Sequence, residues 1–335
     1  MKTVDVAIIG GSLAGAACVR ELARRGIDAV AFERERFPRE KVCGGFVSPG
    51  AVELLEELEV LDAVLAAGAT IVRASTIRVG RREISVELPR MGLGISRGRL
   101  DAIVADHSGV RQGFVRAVNR DGNMFRVQLE EAEISARIVV DAAGKLSRFS
   151  QRRGVPEFGV QFYETGSRGD VLDFWFFEEG YGGAVTVEGN RTNACFLVSK
   201  AALQAGFGGS GNCLVTGPLA YDRLASDFIS IGDAAGMVDP FCGEGMRHAL
   251  ATGICAARAI ATGLSRGDRY DAMRARYEQE SGRRWAAKRR LGKIKIFGWL
   301  AEIRLRRVLD PKCAFTKIHR IQIHFQDILF AEFPV

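Results

Sequence analysis

The sequence predicts an α/β fold in which a parallel sheet is built from two separated stretches of chain. An antiparallel β layer is inserted between them, and a helical region closes the C-terminus. Three observations carry this. Residues 1–33 read as strand, glycine turn, helix, strand; residues 228–245 read as strand, Gly-Asp and a glycine-rich turn into a helix; and the stretch between changes texture, with ten aromatics in the fifty residues from Phe158 to Phe207. At ~150 residues per domain, 335 residues suffice for about two domains, here interleaved rather than consecutive.

Each element has its own signal. Val4–Ile9 is an apolar run suited to a buried strand, and Ala14–Arg25 has helical spacing (Ala14, Ala17, Cys18, Leu22) closed by Gly26, a residue type favoured at helix C-termini. Ala29–Phe32 is a second strand ending at Glu33. Val52, Leu55, Leu58, Leu61 and Leu65 predict one helix over 51–67. Residues 70–90 read as strands, 99–106 as a short helix, 113–127 as a hairpin turning at 120–123, and 134–142 as another buried strand. Alternation over 171–177, 183–187 and 192–198, with a turn at Glu188-Gly189-Asn190, predicts the inserted sheet; 228–231 returns to the first. The expected division is 1–155 with 220–265 as the parallel-sheet domain, 156–219 as the inserted layer, and 266–335 as a basic helical region.

Composition narrows the classes. Glycine is 39 of 335 but proline only 8, which excludes collagen-like and proline-rich disordered chains. No run approaches the ~18 apolar residues of a membrane span, and the N-terminus lacks a secretion signal, so a cytoplasmic protein is expected. Seven cysteines without a CxxC pair and four histidines without a metal-ligand spacing argue against a disulfide framework and against a protein metal site. The net charge of +7 is uneven: residues 269–317 hold 15 Lys/Arg against 5 Asp/Glu. Nucleic acid is not an expected partner, because no recognition module accompanies that charge.

The chemistry-bearing motifs lie far apart. Gly10-Gly11-Ser12-Leu13-Ala14-Gly15 follows a strand and opens a helix, with Glu33 ending the next strand. Such a turn brings backbone N–H groups and the positive helix end to a diphosphate, while the carboxylate takes ribose hydroxyls of an adenine dinucleotide. Ile229 to Gly236 ends a strand in Gly232-Asp233, and Asp239 to Gly245 turns into a helix through Pro240, Cys242 and Gly243. This arrangement suits an aspartate on a ribityl chain and a helix N-terminus aimed at a flavin pyrimidine edge.

These segments, together with Asp141-Ala142-Ala143-Gly144 and Ser147, resemble the FAD-binding signatures of the p-hydroxybenzoate hydroxylase superfamily. Within it, Arg39-Glu40-Lys41-Val42-Cys43-Gly44-Gly45 and Gly232–Gly245 are most similar to the geranylgeranyl reductase family. The resemblance implies a Rossmann-like FAD-binding domain of glutathione reductase type. It further implies FAD held by Gly10, Gly11, Ser12, Ala14, Gly15, Glu33, Arg34, Arg39, Cys43, Gly44, Arg97, Asp141, Gly144, Gly232, Asp233 and Pro240. Gly243, Glu244, Gly245 and Met246 would line the isoalloxazine. Arg97 matches the family's helix start in Ser96-Arg97-Gly98-Arg99-Leu100-Asp101. Cys43 is either a proton donor to the substrate or a small residue in a glycine turn. Phe174, Phe176, Tyr181 and Gly183 are the expected substrate pocket. The Trp-x-Trp-x-Ile-Pro motif of flavin halogenases is absent. No second glycine motif for a nicotinamide is visible, so NAD(P)H or another donor is expected to bind transiently.

The implied reaction is C=C reduction of an apolar, isoprenoid or polyketide-like substrate by hydride from reduced flavin N5. A monooxygenase using a flavin C4a-hydroperoxide on an aromatic or polyketide substrate is the alternative, and a prenyl-lipid escort without chemistry is the third. At 283–307, apolar residues recur beside a cationic face. That pattern suits peripheral contact with an anionic membrane face or a C-terminal cap packed on the FAD domain. His248, one turn inside its helix, is read as structural.

Overall fold

The computed structural model describes residues 2–79, 82–152, 154–207, 212–219, 223–240 and 243–293. Its first sheet centres on the strand Lys2–Ile9, parallel to Ala29–Glu33 on one side and Glu133–Asp141 on the other. Val110–Gln112 extends it parallel beyond Ala29–Glu33, and Ile229–Ser230 pairs parallel with the end of Glu133–Asp141. The hairpin Ala117–Asp121/Met124–Gln128 forms the antiparallel edge. Parallel strands expose neither face to water, which is why Val6, Ala7 and Ile8 on one strand and Val139 and Val140 on the next are all fully buried.

Two helices lie against the sheet at very close range. A Cβ on Gly253, within Gly245–Arg266, would stand 2.4 Å from the carbonyl oxygen of Ala14, within Leu13–Arg24. Only glycine permits this approach, and it sets the helix from the second segment directly beside the first glycine turn. The helix Tyr270–Lys293, the last among the described residues, is fastened to the same sheet: the Tyr270 hydroxyl donates to Val139 O and accepts from Ile229 N–H, and the Tyr277 hydroxyl donates to Ser230 O.

The second sheet runs in the order Leu214–Thr216, Glu157–Thr165, Arg191–Ser199, Gly180–Val187, Val171–Phe177, Thr70–Val79, Arg82–Gly94, Phe46–Val47. It is not confined to 156–219, since 46–47 and 70–94 supply three of its strands. It is also not purely antiparallel, because Thr70–Val79 pairs parallel with Val171–Phe177. A parallel pair requires a long crossover. Here that crossover is the whole stretch through the Arg97–Ala105 helix and back through the first sheet, so the two sheets are interlocked rather than appended.

Two further expectations are corrected. The single helix over 51–67 is two, Pro49–Glu57 and Leu61–Ala66, broken where Glu59 adopts φ +59°. The break keeps Leu58, Val60 and Val64 buried while Leu65 turns outward. The helix read from Arg99 begins at Arg97, with the Ser96 hydroxyl accepting from Arg99 N–H as its cap. Among the described residues, no helix is long and apolar enough to cross a membrane. The stripe at 283–307 lies outside the residues whose side chains are described.

Candidate active site

The first glycine turn is shaped by what it must touch. Gly10 has φ +101°, and a Cβ there would meet Ala142 O at 2.4 Å; a Cβ on Gly15 would lie 1.8 Å from Gly10 O. A Cβ on Gly11 would collide with Val110 and Glu33. Three neighbouring elements therefore converge on bare backbone. The helix that follows has Ser12 at its N-cap position, yet the Ser12 side chain does not cap it, and no acidic residue occupies the first turn. The N–H groups and positive dipole end of this helix are thus left for an anionic ligand.

The Ser12 hydroxyl is engaged elsewhere. It donates to Asp101 Oδ2 (2.8 Å) and accepts from Arg97 Nη2 (2.9 Å), and Arg97 closes on Asp101 through Nε (2.8 Å) and Nη2 (3.0 Å). Arg97 and Asp101 are both buried. Burial alone would raise the Asp101 pKa, but the Arg97 guanidinium outweighs it and holds the carboxyl below the usual range. Arg39 bridges this group to Glu33, whose Oε2 also accepts from Gly11 N–H at 3.1 Å. Glu33 stands at the strand end beside the glycine turn, in reach of a ribose placed there.

The Cys-Gly-Gly turn is held by the second sheet. Gln161 Oε1 accepts from Cys43 N–H (3.0 Å), Asn193 Nδ2 donates to Cys43 O (2.9 Å), and Gln161 Nε2 donates to Asn193 Oδ1 (2.9 Å). Both amides are buried, and a Cβ on Gly45 (φ +73°) would sit 2.6 Å from Asn193 Nδ2. The register pairs Gln161 with Cys195, so Cys195 stands on the same face, close to Cys43. Burial first, then the neighbouring Cys43, pushes the Cys195 thiol up.

One cleft, about 1440 Å³ with its open mouth, joins these parts. Its walls include Ser12 and Ala14 of the first turn, Cys43 and Gly44, Arg97, and Gly144. Gly232, Asp233, Pro240, Gly243, Gly245 and Met246 complete the cofactor side, with Phe174, Tyr181 and Gly183 opposite. Gly232 takes φ +57°, donates its N–H to Thr252 Oγ1 and approaches Ala14, which brings the two distant motifs together. The helix from Gly245 presents its N-terminus to the same space, with no side-chain cap. The glycine cradle, the uncapped helix end, Glu33 and Asp233 fit a flavin adenine dinucleotide laid from Glu33 towards the second sheet.

Several expected residues lie elsewhere. Arg34 is exposed beside Glu35 and does not line the cleft. The Asp141 carboxylate is fully buried and accepts from Ala143 N–H, Ser147 and Ser150, so it braces the turn ahead of Gly144. Glu244 pairs with Arg247. Phe176 packs behind Tyr181, ring centroids 6.1 Å apart, and Tyr181 donates to Asp239 at 2.8 Å. His248 is buried with Nε2 3.2 Å from Gly232 O, a structural role as expected. Cys242 lies outside the described residues.

The aromatics divide between two faces. Trp175, Gly182 and Phe196 are cross-strand partners, and Phe162, Phe177 and Phe207 gather around Phe196 on the side opposite Phe174 and Tyr181. A composition count cannot separate faces, whereas strand parity does. Lys41, Lys145, Gln161, Asn193 and Cys195 were all missed. Each is an ordinary residue in sequence, and only the packing of the two sheets brings them together.

The profile of the FAD binding domain family matches residues 3–171. The chain is 26% identical over 318 residues to the menaquinone reductase of Mycobacterium tuberculosis, covering 77% of this chain and 76% of that one. It is 24% identical over 322 residues to digeranylgeranylglycerophospholipid reductase 3 of Methanosphaera stadtmanae, covering 80% of each. Among solved structures it is similar to the flavin-dependent brominase Bmp2 (TM-score 0.79, 18% identity, 98% of this chain and 94% of that one). It is also similar to pqsL, a probable FAD-dependent monooxygenase from Pseudomonas aeruginosa (TM-score 0.77, 17% identity, 91% and 98%). The reductases match the resemblance to the geranylgeranyl reductase family drawn from Cys43-Gly44-Gly45 and Gly232–Gly245, and the structures match the fold. The chain belongs to the FAD binding domain family and is an FAD-dependent oxidoreductase.

Proposed function

We propose that the protein reduces a carbon–carbon double bond in an apolar, isoprenoid or polyketide-like substrate. The observation that carries this reading is a cleft in which the cofactor-type turns face the apolar residues Leu172, Phe174, Tyr181 and Leu197. The relatives from Mycobacterium tuberculosis and Methanosphaera stadtmanae are named as a menaquinone reductase and a digeranylgeranylglycerophospholipid reductase. FAD, when bound, supplies the two-electron chemistry.

The chain's own residues do the rest. The apolar wall seats the substrate and excludes water. Gln161 and Asn193 fix the turn that presents Cys43 to the cleft, which Arg97 also lines. From there Cys43 would hand a proton to one carbon of the double bond and be reprotonated from solvent. NAD(P)H or a similar donor restores the electrons in a separate, transient encounter.

The test uses the full-length protein, reduced in advance and mixed without oxygen with a polyprenyl quinone. A product that keeps two added hydrogens on a prenyl double bond after its ring is reoxidised to the quinone supports the reading; a product reduced only at the ring overturns it. Product formed only when oxygen is admitted, and carrying an added oxygen, replaces it with a monooxygenase. Absence of a flavin band near ~450 nm even after addition of FAD would sink both.

A further inference from the structure

Two cations in the cleft belong to neither the glycine fingerprint nor the Gly-Asp motif, although Lys41 lies within the 39–45 segment. Lys41 and Lys145 both line it, on the wall shared with Ser12, Ala14, Arg97 and Asp233. Lys41 Nζ lies 4.0 Å from the position a Cβ on Gly144 would take, so the two lysines flank the same turn. Among the described residues, neither has a carboxylate within ion-pair distance; the Lys145 ammonium bonds only the Thr216 hydroxyl. The other charges nearby are already matched, Arg97 with Asp101 and Arg39 with Glu33. Asp233 alone faces both lysines. Burial, followed for Lys41 by the neighbouring Arg97, draws both ammonium groups below their usual pKa.

With Asp233 set against the two lysines a net positive charge remains, and a ligand that brings negative charge to this point would offset it. One place for it is the uncapped N-terminus of the Leu13–Arg24 helix, whose Leu13 and Ala14 line the same cleft. We propose that Lys41 and Lys145 hold the diphosphate of FAD, gripping it from the side opposite the glycine turn. The proposal rests on the FAD reading and adds residues to it that neither the glycine fingerprint nor the Gly-Asp motif contains. Lys145 also ties the strand-end turn of the first sheet to Thr216 on the edge of the second. The diphosphate would therefore sit where the two sheets are already bridged.

The experiment is a titration of the flavin-free full-length protein with FAD and, separately, with riboflavin, which lacks the diphosphate, followed by flavin fluorescence at low and high salt. Wild type, Lys41→Met, Lys41→Arg and Lys145→Met are compared. Loss of one charged contact predicts FAD binding about 10- to 100-fold weaker in each Met variant, with a shallower salt dependence. Lys41→Arg is expected to bind FAD much as wild type does, and the riboflavin affinities of all four proteins to agree. Met variants that bind FAD with wild-type affinity and salt dependence overturn the proposal and reassign the lysines to an anionic group on the substrate. Thermal melts without FAD separate lost binding from lost folding. Should Lys41→Met fail to fold, Lys145→Met decides by the same criteria. Wild-type protein that binds no FAD at all fails the cofactor reading itself, a result distinct from either outcome.

Discussion

Replacing Arg97 by methionine perturbs one well-defined object, the buried Arg97–Asp101 pair. The guanidinium makes two bonds to the carboxylate and one to Ser12, and the Asp101 side chain is fully buried. Removing one partner of such a pair strands the other in a low-dielectric site, at a cost of about 3–5 kcal/mol. In a chain of 335 residues each kcal/mol corresponds to roughly 1.4 °C, so Arg97→Met should melt about 4–7 °C below wild type at neutral pH.

The pH dependence has a definite sign. Asp101 is held below its ordinary pKa in the folded state. Its contribution is therefore present above the unfolded carboxylate pKa and is lost as pH falls through the folded value. The gap between wild type and variant should shrink in acid, and calorimetric melts from neutral to acidic pH measure it. A second substitution, Asp101→Leu, should recover much of the loss, because replacing both partners by apolar groups is far less costly than orphaning one. An Arg97→Met melt within about 2 °C of wild type, or a gap that does not change with pH, would refute the reasoning.

Three other outcomes follow from the geometry. Gly15→Val would place a side chain on the carbonyl of Gly10 and should abolish flavin retention, read as loss of the yellow band on purification. Asn193→Leu removes one of the two amides that hold the Cys43 turn and leaves Gln161 half-satisfied; turnover should fall about tenfold or more, while FAD affinity changes by less than about threefold. Cys43→Ala should lower turnover; full turnover would remove the thiol from the reaction.

Much of the fold was legible because its signals are local. The strand, glycine turn and helix around Gly10–Gly15 declare themselves through apolar run, φ > 0 residue and helical spacing. The Gly232-Asp233 turn does so too, and its hydrophobic flanks mark it as a strand end. The turn at 188–190 was equally plain, with Gly189 and Asn190 both at positive φ. What sequence periodicity could not report was partnership. Residues 70–94 read as strands, but nothing local says that they pair with 171–177 across the whole intervening domain. The one-helix reading of 51–67 failed because the apolar spacing continues across a chain reversal at Glu59 that no proline or glycine announces.

The same division holds at the site. The sequence by itself determined the cofactor class, since a diphosphate must meet bare backbone and a helix end, and that need is met by glycines at fixed spacing. Only the tertiary structure decided which side chains complete the cleft. Arg34 and Asp141, near neighbours of the motifs, are exposed or tied up in bracing a turn, while Lys41, Lys145, Gln161 and Asn193 enter from segments up to about 150 residues apart. The physical reason is that backbone geometry is encoded within a few residues. The pairing of buried charges and amides depends on which faces two sheets turn towards each other, and no short stretch of chain specifies that.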